Sequence, residues 1–177
     1  MPFTTISSKV LPTGSILQVV SSETETTTST TSQDSSFVDV TDLNASITPS
    51  STSNKILIHV AIGKLGVATS YNADRFNNFR LVRGSTVIGI PSSSGDRTKA
   101  SFGQTGGGYE VSGRGGESLS FTYLDTPSSV ASLNYKVQYS GHAGDTTTIN
   151  KSSEDNNNAD APHSRTISTI TLTEIKG

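Results

Sequence analysis

The most regular hydrophobic pattern in the chain lies in residues 54–63, NKILIHVAIG. In an extended strand, one side of this segment carries only β-branched residues: Ile56, Ile58, Val60 and Ile62. The other side is mixed: Lys55, Leu57, His59 and Ala61. β-Branched residues suit a pleated, half-buried surface, and strict alternation is typical of a strand. We therefore expect a central strand whose second side is partly covered.

The same two-residue period recurs along the chain. Apolar residues alternate with polar ones at 117–124, 133–140 and 166–175. Shorter strands are predicted at residues 15–21, 36–41, 43–47, 79–83, 86–90, 98–102 and 146–151. Gly84–Ser85 has the length and composition of a hairpin turn. More than eight short strands without a helical period predict an all-β fold, either an antiparallel β-sandwich or a jelly roll.

The domain organisation follows from length and from the amino-terminal composition. A chain of 177 residues supports one β domain with its own core. Residues 1–14 contain Pro2, Pro12 and Gly14 and show little periodicity. They are predicted to form an extended arm that docks on a neighbouring protein, with a disordered terminus as the alternative. Residues 15–177 are predicted to form the sandwich.

Composition limits the classes of partner that the chain is expected to have. Charged residues make up 16 % of the chain, against about 25 % in typical domains. A low-charge surface of Thr-rich strands is an aggregation hazard for a free subunit, so we expect self-association. The net charge of −2, without a basic stripe, argues against nucleic acid as a partner. Neither a secretory signal nor an apolar run long enough for membrane insertion is found.

Residues that carry chemistry are few and scattered. The chain has no Cys, and His59, His142 and His163 lack the spacing of a metal pair. His59 is expected to be a packed or interface residue. The acidic run at 154–160 has oxygen donors for Ca²⁺ but fails the EF-hand pattern, so a solvated loop is favoured. No nucleophile motif is present. We therefore expect no enzyme activity, cofactor or metal.

Several phrases in the chain carry a resemblance. They are ITPSSTSNKILIHVAI, FRLVRGSTVIG, SLSFTYLDTPSS, LNYKVQYSG and ISTITLTEI. In order and pattern they resemble the trimeric jelly roll of the tumour-necrosis-factor superfamily and its complement-type relatives. More closely, they resemble a domain in structural and fibre proteins of marine tailed phages. The resemblance spans residues 14–177. No shaft, repeat or collagen-like segment precedes the domain, which disfavours a long fibre.

The resemblance implies a homotrimer on a virion surface, assembled in the host cytoplasm. The expected function is that of a non-enzymatic structural protein of a bacteriophage. It would be a capsid decoration or tail-appendage subunit that docks on head or tail proteins and is held there by the arm. Four apolar strand residues are candidates for the sandwich core or the threefold contact: Ile58, Val60, Tyr135 and Val137.

The alternative is a receptor-binding module at the tip of a tail fibre. Loops at residues 64–78, 103–116 and 152–163 would then recognise a host surface glycan. Aromatic side chains stack on sugar rings, and the candidates are Tyr71, Phe76 and Tyr109. A depolymerase is a third and weaker alternative.

Overall fold

The computed structural model of the chain describes residues 10–68, 75–92, 95–106 and 116–177. Within these ranges the chain forms β-strands, a short 3-10 helix at Ala161–His163 and no α-helix. The strands are β1 (Ile16–Thr24), β2 (Thr28–Thr30), β3 (Val38–Ile47), β4 (Lys55–Ala68), β5 (Arg75–Arg83), β6 (Thr86–Ile88), β7 (Phe102–Gly106), β8 (Glu117–Asp125), β9 (Leu133–Ser140), β10 (Thr146–Ile149) and β11 (Ser168–Ile175). None of the described helices is long and apolar enough to cross a membrane.

Sheet 1 is built around β4. β8 pairs with one edge of β4, while β11 and β10 pair with successive stretches of the other edge. β1 and β2 then pair with the outer edges of β11 and β10. Every pair is antiparallel. Sheet 1 therefore has four strand positions, in the order β1/β2, β11/β10, β4, β8.

Sheet 2 also has four strand positions. Its order is β3, β9, β5, followed by β6 and β7, which pair with successive stretches of the last free edge of β5. All these pairs are antiparallel as well. Gly84 and Ser85 connect β5 to β6 as the predicted two-residue turn, since Arg83 pairs with Thr86.

The hydrophobic core lies between the two sheets. Its most buried members, each 0–1 % exposed, come from both sheets: Leu43, Ile56, Ile58, Val60, Ile62, Phe79, Leu81, Tyr135, Val137, Tyr139, Ile149, Ile170 and Leu172. Burial of such surface contributes about 25 cal/mol per Å². The alternation in residues 54–63 is confirmed, because its β-branched side faces this core. The predicted antiparallel β-sandwich is confirmed too.

Two predicted boundaries are wrong. The sequence predicts a loop at residues 64–78, but β4 continues to Ala68 and β5 begins at Arg75. β4 extends because β10 supplies a partner for its last residues, which the local sequence does not reveal. The sequence also predicts a strand at 98–102, yet β7 begins at Phe102 and runs to Gly106. Its register is set by pairing with β5 rather than by its own glycine-containing sequence, FGQTG.

The sandwich has two distinguishable ends. At the upper end, β4 finishes at Ala68 and β5 begins at Arg75. At the lower end, β4 begins and β5 finishes. The described part of the amino-terminal arm lies at the lower end, because the Gly14 amide donates to the Lys176 carbonyl at 2.8 Å and the Lys176 ammonium donates to the Leu11 carbonyl.

Candidate functional site

The four residues that the sequence assigned to the core or the threefold contact all lie between the two sheets. Ile58, Val60, Tyr135 and Val137 are each 0 % exposed. They are core residues of the single chain and are not accessible to a second copy. Any contact between copies must therefore use other side chains.

Two of the candidate ligand-binding aromatics, Tyr71 and Tyr109, lie outside the described residues. Phe76 lies in β5, where it pairs with Thr105 of β7. Its predicted placement on a loop is therefore wrong, because the long β5 strand takes up the end of the expected loop. The flanking strand ends Ala68, Arg75, Gly106 and Glu117 all lie at the upper end of the sandwich.

The outer side of sheet 1 carries a row of three apolar residues and one threonine. Val19 on β1 pairs with Thr173, Thr173 with Leu57, and Leu57 with Leu124 on β8. Val19 is 57 % exposed and Leu124 is 45 % exposed. We call this line the apolar row, and we call the outer side of sheet 1 the sheet 1 face. Three of its four members are apolar, while Leu57 and Thr173 are partly buried. Neighbouring exposed apolar residues of this kind are a feature of contact surfaces.

His59 lies in the middle of the sheet 1 face, one row above Leu57. Its row runs from Ser21 through Thr171 and His59 to Thr122. The Ser21 and Thr171 hydroxyls are 3.0 Å apart, which places both on the same side of the sheet. The next row toward the upper end is Glu23–Thr169–Ala61–Ser120. Glu23, on the outermost strand β1, is the first charged residue in that direction.

β8 is an edge strand of sheet 1. Among the described strands it pairs with β4 alone, so its second edge has no strand partner within the described residues. The inward residues of this edge are only partly buried, and they include Phe121 and Tyr123. Phe121 stacks on Phe102 with ring centroids 4.6 Å apart. Between Glu117 and Asp125 the strand has no charge, proline or bulge of its own, the usual means of protecting an edge.

The outer side of sheet 2 differs, because its polar groups satisfy one another. Asp39 accepts hydrogen bonds from Lys136 at 2.8 Å and Gln138 at 2.7 Å. Burial raises the pKa of Asp39, but these bonds and the Lys136 charge more than offset that and hold the pKa below its ordinary value. Asn134 donates to Asn44 at 3.2 Å. The outer side of sheet 2 is therefore closed by its own polar pairs, whereas the sheet 1 face carries the apolar row.

A long loop, residues 150–167, leaves the sheet after β10 and returns at β11. It packs against the upper half of β4, where Gly63 and Gly66 allow close approach: a Cβ on Gly63 would lie 2.1 Å from the Ile167 carbonyl oxygen. Lys64 is buried beneath the loop and donates to the Pro162 carbonyl at 2.7 Å. Burial lowers the pKa of Lys64.

The carboxylate of Asp155 is engaged within this loop. One carboxylate oxygen lies 2.6 Å from Arg165, and the other lies 3.2 Å from Lys151. Both oxygens therefore already close the loop onto itself. However, the loop is less solvated than predicted, since Ser152 and His163 are 1 % and 8 % exposed.

A buried carboxylate ties the lower end together. Glu174 of β11 is 1 % exposed and accepts hydrogen bonds from the Ser50 amide and hydroxyl, from the Asn54 amide group at 2.5 Å and from Gln18 at 2.6 Å. Burial raises the pKa of Glu174, but the hydrogen bonds from Asn54, Ser50 and Gln18 more than offset this and hold the pKa below its ordinary value. The cluster joins β1, β11 and the loop between β3 and β4.

A second polar cluster joins the two sheets. Asp125 of sheet 1 accepts two hydrogen bonds from the Arg83 guanidinium, at 2.7 and 2.9 Å, and one from the Tyr135 hydroxyl at 2.7 Å. Burial and the bond to Asp125 raise the pKa of Tyr135. Burial alone would lower the pKa of Arg83, but Asp125 more than offsets this and raises it.

Both clusters link separate elements of the fold. A cavity of about 260 Å³ lies at the lower end, lined by Leu17, Ser50, Ser51, Ser53, Asn54, Lys176 and Gly177. Among its lining residues, the Ser50 hydroxyl donates to the buried Glu174 carboxylate at 2.8 Å, and the lining holds no histidine. In the described part of the chain, no group of three or more His, Cys, Asp or Glu residues is arranged to hold a metal ion.

Comparisons with known proteins add little. No protein-family model matches the chain, and no curated protein matches it. Among solved structures, the chain is similar to dimeric latent PorU from Porphyromonas gingivalis, with 11 % sequence identity and a TM-score of 0.43. The match covers 96 % of this chain but 14 % of that chain, so this chain spans a small part of that protein.

Proposed function

We propose that the chain is a non-enzymatic structural subunit of a phage virion that assembles as a homotrimer through the sheet 1 face. The apolar row carries this proposal, because it leaves Val19 and Leu124 about half exposed in the free chain. The number of copies and the virion location come from the sequence resemblance. The subunit would sit on the head or in a tail appendage and dock on other virion proteins.

The strand order supports the proposal that this sandwich is a jelly roll. If β1 with β2, β6 with β7, and β10 with β11 each count as one position, eight positions form two four-stranded sheets. Successive positions also change sheets, as from β3 to β4, β4 to β5 and β8 to β9. A double sheet of eight strands with such crossings is typical of a jelly roll.

The open edge of β8 offers a partner for the sheet 1 face. It exposes parts of Phe121 and Tyr123, which are apolar and have no protecting charge beside them. If the edge of one copy packs on the face of the next, the contact is heterologous, and such contacts generate closed rings when the rotation closes. This arrangement would cover both exposed apolar surfaces at once and leave the polar side of sheet 2 in water.

Substitution of Leu57 by lysine is expected to dissociate the assembly. The change places an ammonium group in the apolar row, and a central interface residue of this kind is worth about 2 kcal/mol or more, roughly 30-fold in affinity. Sedimentation equilibrium of the variant should show a shift from trimer toward monomer. The matched control is Ser46→Lys, which places the same charge on the exposed outer side of sheet 2 and should leave the trimer intact.

If the Leu57→Lys variant associates as tightly as the Ser46→Lys variant, the sheet 1 face is not the contact. The virion location has a separate test, which is labelling of the protein on intact particles by immunogold electron microscopy. Label on the head or on a tail appendage is expected. Protein that is present in infected cells but missing from purified particles would contradict a structural role.

A receptor-binding module is the second candidate, and the grouping of strand ends at the upper end favours it. Ala68, Arg75, Gly106 and Glu117 flank two of the three predicted recognition loops there. The third, within residues 150–167, packs on the upper half of β4. Saturable binding of the full chain to a defined glycan on an array would support this function, and binding indistinguishable from background across the array would contradict it.

A further inference from the structure

The charged side chains are distributed unevenly between the two ends of the sandwich. The described lower strand ends carry three cationic residues, Lys55, Arg83 and Lys176, of which Lys55 is exposed and the other two are partly exposed. The carboxylates there, Asp125 and Glu174, are only 6 % and 1 % exposed. The charge that these strand ends carry toward solvent is therefore positive.

The upper end has the opposite sign. Exposed carboxylates are grouped there among the described residues: Glu23, Glu25, Asp34, Glu117 and Asp160. Two cations of the loop at 150–167, Lys151 and Arg165, pair with Asp155 of the same loop at 3.2 and 2.6 Å. The long axis of the subunit therefore runs from a cationic lower end to an acidic upper end.

We propose that the subunit docks on the virion by its lower end, and that the virion protein that receives it has an acidic surface at the contact. The inference rests on the proposed structural function, to which it adds the docking end and the chemistry of the partner. Opposite charges across an interface steer association, and like charges placed against each other are costly. An acidic surface would therefore attract the lower end and repel the upper end, which selects one orientation of the subunit.

The amino-terminal arm leaves the sandwich at the same end. The Gly14 amide donates to the Lys176 carbonyl, and the Lys176 ammonium donates to the Leu11 carbonyl. These two bonds tie the described part of the arm to the end of β11. The arm, which the sequence assigns to docking, and the cationic strand ends therefore lie side by side.

The cavity at the lower end has room for a carboxylate side chain of the partner. Lys176 lines it together with Ser51 and Ser53, whose hydroxyl oxygens lie 3.0 Å apart. Ammonium and hydroxyl groups donate hydrogen bonds, and a carboxylate accepts them. The volume of about 260 Å³ equals that of several water molecules, which is enough for the few atoms of an Asp or Glu side chain.

The loops beside this cavity do not oppose such a contact. The segments at 48–53 (TPSSTS) and 126–132 (TPSSVAS) contain no ionisable side chain. Val130 in the second loop is 54 % exposed, and Ile16 at the start of β1 is 63 % exposed. A docked acidic surface would therefore meet cations and hydroxyl groups, and it would also cover apolar surface, whose burial is favourable.

Zero-length cross-linking of purified virions with a carbodiimide tests this contact. The reagent joins a lysine amine to a carboxylate only where the two groups lie in contact, and mass spectrometry of the digested particles identifies the joined residues. Cross-links from Lys55 or Lys176 to an Asp or Glu residue of another virion protein are the expected result. This measurement needs no variant, so it does not depend on the folding of one.

A matched pair of substitutions measures the effect of charge on docking. Lys55→Gln removes one positive charge from the lower end, and Arg165→Gln removes one from the upper end. Rebinding of Lys55→Gln to virions stripped of the protein should be weaker than wild type by about threefold at low salt, and the difference should shrink at high salt. Arg165→Gln should rebind as wild type does. Sedimentation equilibrium confirms that both variants retain the wild-type oligomeric state.

The absence of any cross-link from Lys55 and Lys176 to another virion protein would overturn this inference and leave the structural role standing. Cross-links that join Glu117 or Asp160 to lysines of another virion protein would also overturn it, because the acidic end would then be the docking end. Equal rebinding of Lys55→Gln and Arg165→Gln at low salt would contradict the role of charge. Absence of the chain from purified virions would overturn the proposed function and this inference together.

Discussion

Replacement of Glu174 by alanine is expected to lower the free energy of unfolding by about 3 kcal/mol or more. The carboxylate accepts hydrogen bonds from Gln18, Ser50 and Asn54, and Asn54 and Glu174 are almost fully buried. Without it, several donors lose their acceptor and each costs its desolvation. Urea titration followed by circular dichroism measures the change. The control is Glu23→Ala on the exposed side of β1, expected within about 0.5 kcal/mol of wild type.

The same carboxylate predicts an acid-sensitive fold. Because the pKa of Glu174 is lower in the folded chain than in the unfolded one, the unfolded chain takes up the proton first as the pH falls. The stabilisation by Glu174 is therefore complete when the pH is above 4.5, the ordinary pKa of this side chain. It is lost as the pH falls from there through the lowered pKa of Glu174 in the folded chain. Wild type should lose more stability than Glu174→Gln over this interval. Equal losses in the two proteins would assign the acid sensitivity to other carboxylates.

Asp125→Ala is expected to lower the free energy of unfolding by about 2–4 kcal/mol, which is the second large effect. The substitution leaves the hydroxyl of Tyr135, a residue that is 0 % exposed, without an acceptor. It also removes the partner of the Arg83 guanidinium. Because this cluster joins sheet 1 to sheet 2, its loss should lower the midpoint of thermal unfolding of the whole domain in a single transition. Differential scanning calorimetry tests this.

Two control variants separate the contribution of the Tyr135 hydroxyl from that of an ordinary exposed ion pair. Tyr135→Phe removes only the hydroxyl and should cost about 1 kcal/mol. Asp39→Ala breaks the exposed pair with Lys136 and should cost at most about 1 kcal/mol, since exposed ion pairs are weak. If Asp125→Ala destabilises no more than Asp39→Ala, the buried cluster is not a significant link between the sheets.

Sequence alternation predicted the core strands well, because one buried side selects apolar residues at every second position. Ile56, Ile58 and Val60 on β4 and Tyr135 and Val137 on β9 are all in the core. The extents of β4 and β7 were missed, because their last residues are strands only by virtue of pairing with β10 and β5. A local window contains no information about such partners.

The sheet 1 face could not be derived from the sequence alone. Val19, Leu57 and Leu124 are separated widely in sequence. They become one row only through the register of four strands. For the same reason, the sequence singled out inward residues such as Ile58 as possible contacts, although the free surface lies on the opposite side of β4.

The most direct test of the proposed assembly is the mass of the full chain in solution. Sedimentation equilibrium at micromolar concentration and neutral pH should give three times the chain mass of 18.5 kDa. A stable, soluble particle of 18.5 kDa under these conditions would contradict the proposal, because the apolar row would then remain in water.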